Sequence, residues 1–382
     1  MVLEVVAFED PPGPEFVDQL RRSWDCGDAI FPVDHRLPSA ARDALYDQIR
    51  PTLVHRGGQT TRRPDGRSAQ PGDAVILATS GTTGAPKGVV LTRGAVEASA
   101  AATSARLGVD PTTDRWLCCL PVAHAGGLGV VTRALLTGTP LDVLPGFDAV
   151  AVTRAAAGTC PLVSLVATAL RRVDPALFRR ILLGGDAPPA GLPANAVVTY
   201  GLTETGGGCV YDGVPLDGVT VKIEAGEVVV RGPLVARAYR AGDEDVDLGP
   251  EIATGDGGRW EAGKLVVDGR LADVIVTGGE KVWPAAVEAV IRACPGVVQV
   301  AVVGRPDAEW GQRVVAVVVA DPAGPVLSLD RVRDAVKQVL PAWAAPKELE
   351  LTAALPATTG GKIQRQSLSA AAPLRRPRSS DR

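Results

Sequence analysis

Ten consecutive residues, Thr79-Ser80-Gly81-Thr82-Thr83-Gly84-Ala85-Pro86-Lys87-Gly88, bring glycines, hydroxyls and one ammonium together in the way a polyphosphate requires. Glycine lets backbone N–H groups approach an anion closely, and Ser, Thr and Lys add donors and positive charge. The order is not that of a Walker A loop, which sets Gly before its lysine and Ser or Thr after it. Here Pro86 and Gly88 hold those places. A second point of chemical interest is Arg133, a lone charge in the apolar stretch Gly129-Val130-Val131-Thr132 and Ala134-Leu135-Leu136. A guanidinium on a helix that enters a core needs a partner. A substrate carboxylate, met as a fork or through a water, would supply one, and so would an intramolecular salt bridge.

Such groups must be held by regular elements. The apolar run 74–78 reads as a buried strand that leads into the phosphate-type loop, and 89–91 as a strand that leaves it. From there to residue 199, strand-like runs at 116–120, 141–144, 162–166, 180–183 and 196–199 alternate with helical spacing at 94–107, 126–136, 148–157 and 167–173. This alternation predicts a layered α/β domain with a largely parallel sheet, ligands lying at the carboxyl ends of its strands. The signature loop and a loop over Tyr200–Gly208 would both fall there. Residues 219–225 and 227–231 read as a hairpin of a β subdomain, and the chain beyond Gly269 as a compact α+β unit suited to a mobile cap. The expected fold class is therefore α/β: a large N-terminal domain over 1–268 with layered sheets and a β subdomain, then a small mobile α+β domain over 274–371. Residues 269–273 would form the hinge, and the Pro/Arg/Ser-rich stretch 372–382 a disordered tail.

Bulk properties narrow the class. The chain has 382 residues, 46% of them hydrophobic, with 40 basic and 43 acidic side chains giving a net charge of −3. Nothing in that balance favours nucleic acid or an anionic membrane. The six cysteines form no C-x-x-C pair and the three histidines are scattered, so a structural zinc is not expected and buried thiols in a reducing cytosol are. Acids at Glu4, Glu9 and Asp10 stand where a secretory signal would carry basic residues, and no apolar run is long enough to span a bilayer. The expected location is cytoplasmic.

The phosphate-type loop resembles the signature of the acyl-adenylate-forming (AMP-binding) superfamily, and further segments follow the same pattern. Tyr200-Gly201-Leu202-Thr203-Glu204-Thr205-Gly206-Gly207-Gly208 matches its second signature. The resemblance implies nucleotide contacts from Thr79, Ser80, Gly81, Thr82, Thr83, Gly84, Lys87, Tyr200, Gly201 and Thr203, and magnesium ligation by Glu204 with Thr82. A hard carboxylate oxygen beside a polyphosphate suits that cation. In Thr254-Gly255-Asp256-Gly257 the resemblance assigns Asp256 to the ribose hydroxyls, with Arg270 close to the ribose or phosphate. The heptad Pro356-Ala357-Thr358-Thr359-Gly360-Gly361-Lys362 matches the motif of the adenylation lysine. An ammonium there would neutralise charge where a carboxylate meets an α-phosphate. Gly278 and Gly279 resemble the loop that flanks pantetheine. The hinge position of relatives is charged, whereas here it is Ala272 followed by Asp273, which leaves the hinge open between them.

In Leu120-Pro121-Val122-Ala123-His124-Ala125-Gly126-Gly127-Leu128, the resemblance puts His124 in the acyl pocket as a catalytic and substrate-binding residue, with Gly206, Gly207 and Arg133 also meeting the acid. His124, the glycines and Arg133 in this register resemble the 2-succinylbenzoate–CoA ligases of menaquinone biosynthesis, whose substrate carries two carboxylates. Only about 75 residues precede the phosphate loop, as in actinobacterial members, and Cys26–Pro38 keeps the N-terminal pattern. The implied reaction joins an acid to coenzyme A with ATP and Mg2+, through an acyl-adenylate. Another aryl or alkyl acid, or a carrier-protein thiol as acceptor, fits the same motifs. The implied partners are small molecules, namely the carboxylic acid, ATP and CoA, without nucleic acid or membrane insertion; a homodimer is compatible with this reading.

Overall fold

A computed structural model describes residues 2–80, 86–185, 188, 191–356 and 363–369. The chain divides into two compact units, one of residues 1–254 and 260–266, the other of 255–259 and 267–382. Among the described residues no helix is long and apolar enough to cross a membrane.

The first unit holds two large sheets. In the eight-stranded one, Val5–Phe8 lies parallel to both Ala29–Pro32 and Leu53–Arg56, and Ala29–Pro32 in turn to Asp73–Ser80. The sequence pattern predicts alternation only from near residue 74. The earlier strands are four residues each, too short for period to separate them from loop. Asp73–Ser80 then pairs antiparallel with Pro86–Thr92, from Asp73 opposite Thr92 to Ser80 opposite Pro86. The described residues of the phosphate-type motif thus lie on these two paired strands, which extend into it further than 74–78 and 89–91.

The hairpin is fastened at its base. Thr92 ends the second strand and caps the helix Arg93–Leu107, its Oγ1 accepting the Ala95 N–H at 3.1 Å. A cap of this kind contributes about 1 kcal/mol. Alongside Pro86–Thr92 runs Ala238–Ala241, with Tyr239 opposite Val89 and Arg240 opposite Gly88. The Arg240 guanidinium is fully buried and donates to the carbonyls of Ile49 and Ser68 at 2.7 and 2.9 Å. Backbone carbonyls satisfy the guanidinium where no carboxylate does, so the strand is pinned from within.

The second sheet of this unit has five consecutive parallel strands, Leu141–Val143, Trp116–Cys118, Leu162–Leu165, Arg180–Leu183 and Ala196–Leu202. Four of the five are short and mainly apolar, and Trp116–Cys118 and Leu162–Leu165 are buried along their whole length, as strands covered on both faces are. Helical spacing over 167–173 yields a helix only over Ala167–Leu170, because Asp174 caps a separate 3-10 turn started by Pro175.

The second unit contains a five-stranded sheet built around the long antiparallel pair Val297–Asp307 and Gly311–Ala320. Glu348–Leu351 lies parallel to the latter, and the hairpin Ile275–Thr277/Glu280–Val282 joins its other end. Gly278 and Gly279 form that hairpin's turn with φ of +59° and +85°, the left-handed pair that a two-residue turn demands. Val287 and Ile291 of the helix Pro284–Arg292, with Val332 and Val336 of Leu329–Val339, fill the core against Val300, Val302, Val314 and Ala316.

Candidate active site

The phosphate hairpin presents Thr79 and Lys87 as cross-strand partners at the edge of the described chain. Gly81, Thr82, Thr83 and Gly84 lie outside the described residues, as does the side chain of Ser80. Lys87 Nζ sits 5.1 Å from the ring centroid of Tyr239, and the Tyr239 hydroxyl donates to Glu204 Oε1 at 2.8 Å. The first and second signatures are therefore bridged by one tyrosine that no motif reading singles out. Its only sequence signal is rarity, the chain having four tyrosines.

Tyr200–Gly208 is not the loop expected. The strand Ala196–Leu202 continues through Tyr200 and Gly201, Thr203–Thr205 form a 3-10 turn, and Gly207–Tyr211 returns antiparallel. The close crossing depends on Gly201, where a Cβ would stand 1.9 Å from the Gly207 carbonyl oxygen. Thr205, fully buried, closes the turn by accepting from Leu202 N–H and donating to the Gly207 carbonyl at 2.6 Å. Glu204 is thereby carried on a rigid turn, and its own carbonyl accepts Ala236 N–H at 2.8 Å. Its carboxylate is half-buried and takes a hydrogen bond from a neutral donor at one oxygen, which leaves a hard oxygen to offer. That donor chemistry fits a magnesium ion.

Gly206 and Gly207 adopt φ of +64° and +123°, conformations that side chains resist. A Cβ on Gly207 would lie 3.8 Å from the carbonyl oxygen of Ala125, the first residue of the helix Ala125–Thr137. The turn that carries Glu204 thus comes up against the segment that carries His124. His124 occupies the cap position of that helix and is exposed. Gly127 is needed there, because a Cβ would meet the Pro121 carbonyl oxygen at 2.3 Å.

Arg133 lies two turns along the same helix, 5% exposed. Its guanidinium carbon is 5.1 Å from the Trp116 ring centroid, and a Cβ on Gly129 would be 2.7 Å from its Nη2. Gly129 is thus the space in which the guanidinium rests. Nε and Nη1 have no hydrogen-bond partner among the described residues, nor does the nearby Trp116 Nε1. The intramolecular salt bridge considered from sequence is not found among the described residues. Burial pushes the guanidinium pKa down, the Tyr211 and Cys118 groups opposing this weakly.

Within the second unit, Asp256 is on a strand, Glu251–Glu261, and not in a free turn; it is 6% exposed and its Oδ1 meets Arg270 Nε at 3.0 Å. Gly257 must lack a side chain, since a Cβ there would lie 2.1 Å from the Trp283 ring. Gly278 N–H donates to the Trp310 carbonyl at 2.9 Å, beside Gly279 in the hairpin turn. Lys362 lies outside the described residues. The segments flanking it are joined by Gln364 N–H donating to the Pro356 carbonyl at 2.8 Å, and Leu355 and Ile363 pack against a cluster with Ala301, Val303 and Val317. Leu271–Asp273 form one 3-10 turn; Ala272 is exposed, while Asp273 lies 3.7 Å from Arg365.

Of the six thiols, Cys118, Cys119 and Cys209 are buried, whereas Cys26 and Cys160 are exposed. The expectation of buried thiols holds at Cys118, Cys119 and Cys209 and fails at Cys26, the last residue of a helix, and at Cys160 in a loop, while Cys294 is half-buried.

This sheet-and-hairpin arrangement is the fold of an AMP-binding enzyme class. Residues 31–240 match the AMP-binding enzyme family and residues 286–362 the AMP-binding enzyme C-terminal domain. The chain belongs to the AMP-binding enzyme family. It is 39% identical over 324 residues to a probable 2-succinylbenzoate–CoA ligase of Mycobacterium tuberculosis, covering 77% of this chain and 83% of the relative. A 2-succinylbenzoate–CoA ligase of Enterococcus faecalis is 33% identical over 342 residues, covering 77% and 69%. Among solved structures, the o-succinylbenzoate CoA synthetase of Bacillus subtilis in complex with its acyl-adenylate intermediate superposes with a TM-score of 0.83 at 25% identity, covering 97% of this chain and 88% of that one.

Proposed function

We propose that the chain is an ATP-dependent 2-succinylbenzoate–CoA ligase, acting in menaquinone biosynthesis. One carboxylate oxygen of the acid attacks the α-phosphorus of ATP, the bond to the bridging oxygen breaks, and pyrophosphate leaves. The CoA sulfur then attacks the acyl carbon, AMP departs with the anhydride oxygen, and the thiol proton passes to solvent. A carboxylate alone is a poor electrophile because it would have to expel oxide. The mixed anhydride gives it a leaving group.

The choice of acid is carried by Arg133, a buried guanidinium with two nitrogens that lack hydrogen-bond partners among the described residues. An acid with a second carboxylate, such as the one named for the relatives, meets that need with a charge-assisted pair. In this reading His124, Gly206 and Gly207 border the acid. Residues 79–84 with Lys87 cradle the phosphates, beside Tyr200, Gly201 and Thr203. Asp256 takes the ribose hydroxyls with Arg270 beside it. Lys362 neutralises the α-phosphate during adenylation, and Gly278 and Gly279 flank pantetheine during thioester formation. Glu204, with Thr82, would hold Mg2+, which when bound neutralises charge on the polyphosphate. The exchange between the two half-reactions is assigned to rotation of residues 274–371 about 269–273 relative to 1–268.

The test is a panel of carboxylic acids incubated with ATP, Mg2+ and CoA, with CoA products read by mass spectrometry. The expected outcome is a 2-succinylbenzoyl-CoA thioester with pyrophosphate and AMP in equal amounts. Release of orthophosphate, or turnover that ignores CoA and needs a carrier-protein thiol, would overturn it.

A further inference from the structure

We propose that Tyr239 is a positioning residue that holds the Glu204 carboxylate for the metal–nucleotide complex and gives the Lys87 ammonium a second seat. The proposal rests on the reading of Glu204 as the cation ligand. Its geometric basis is the double engagement of one side chain: the hydroxyl donates to Glu204 Oε1 at 2.8 Å, while the ring centroid lies 5.1 Å from Lys87 Nζ. The carboxylate and the ammonium that would meet a triphosphate are thus tied to different parts of the same phenol.

The mounting is stiff. Tyr239 is in register with Val89 on the hairpin strand, its neighbour Arg240 is anchored to buried carbonyls, and Ala236 on the same approach binds the Glu204 backbone. Motion of the phosphate hairpin and motion of the Glu204 turn are therefore both referred to the strand Ala238–Ala241. A phenol is suited to this task because it donates without adding charge. A cationic donor in its place would compete with the metal for the carboxylate. With Oε1 occupied, Oε2 has no hydrogen-bond partner among the described residues and remains available as a hard ligand. The ring face offers Lys87 a modest cation–π attraction that a triphosphate readily exceeds.

The experiment uses the full chain and reads binding without turnover: Mn2+ affinity by electron paramagnetic resonance in the presence of α,β-methylene-ATP, and affinity for the metal-free nucleotide in EDTA. Tyr239→Phe keeps the ring and removes only the hydroxyl. It is expected to weaken Mn2+ by about tenfold and to leave the metal-free nucleotide within about twofold. Tyr239→Leu, which also removes the ring, is expected to change the metal-free nucleotide affinity as well. Glu204→Gln weakens Mn2+, and the Tyr239→Phe/Glu204→Gln pair adds little beyond Glu204→Gln alone. Tyr239→Phe with wild-type Mn2+ affinity, or full additivity in the pair, overturns the proposal. A Glu204→Gln variant with unaltered Mn2+ affinity shows instead that the assignment of Glu204 itself has failed.

Discussion

Arg365 donates from a single nitrogen, Nη2, to both carboxylate oxygens of Glu288, each at 2.9 Å. Glu288 is 4% exposed and its Oε1 also accepts Val302 N–H at 2.8 Å, so its charge is committed to the core of the second unit. Arg365 opens the short helix Arg365–Ser369, three positions after Lys362. Its other nitrogen, Nη1, faces Asp273 at 3.7 Å. The segment that follows the lysine and the candidate hinge turn are therefore tied to one guanidinium.

Arg365→Met is expected to strand the Glu288 charge and lower stability by about 3 kcal/mol, whereas Arg365→Met with Glu288→Met recovers most of the loss. Denaturant unfolding of the four variants in the cycle reads the coupling directly. Equal losses in the single and double variants would show that the pair is not the source.

Burial pushes the thiols of Cys118, Cys119 and Cys209 up to about 12. At pH 8 their reactive thiolate is about one part in ten thousand, so native alkylation by iodoacetamide is expected at Cys26 and Cys160 and not at these three. Peptide mass spectrometry counts the adducts. Because the folded thiols hold their protons more tightly than unfolded ones, their contribution is intact below about pH 9 and falls away as pH rises toward 12. Stability measured across that window should decline with pH.

Much of this is legible in the sequence because the chemistry sits in contiguous motifs, each placed at the end of an apolar run. Arg133 stands out for the same reason, a charge against an apolar background. Tyr239 and Arg365 do not, since their partners are 35 and 77 positions away and neither spacing nor pattern encodes such a meeting. The four-residue N-terminal strands are too short to show a period, and the Tyr200–Gly208 segment reads as loop because glycine usually marks one. Here Gly201 marks a backbone crossing instead, a tertiary fact that only the partner strand reveals.

Lys362→Ala is expected to abolish acid-dependent pyrophosphate exchange while largely sparing the capture of supplied acyl-adenylate by CoA. The two half-reactions ask different things of the enzyme. Adenylation brings two anions together and needs an ammonium between them, whereas thioester formation expels AMP from an anhydride already made. Exchange of labelled pyrophosphate into ATP reports the first, and single-turnover formation of acyl-CoA the second. Equal loss in both assays would mean that Lys362 serves the whole cycle.

Arg133→Met separates stability from recognition. A buried guanidinium with orphaned Nε and Nη1 costs free energy in the unliganded protein, so an unbranched apolar side chain of similar length should be neutral or stabilising by about 1 kcal/mol. Methionine also keeps contact with the Trp116 ring and still fits the space left by Gly129. If the arginine exists to meet the acid's second carboxylate, the same variant should raise KM for 2-succinylbenzoate by about a hundredfold, with far less effect on a monocarboxylic analogue. Melting temperature and KM for both acids are measured on the same preparations. A variant that melts lower and treats both acids as the wild type does would assign Arg133 to the core and remove the main support for a dicarboxylic substrate.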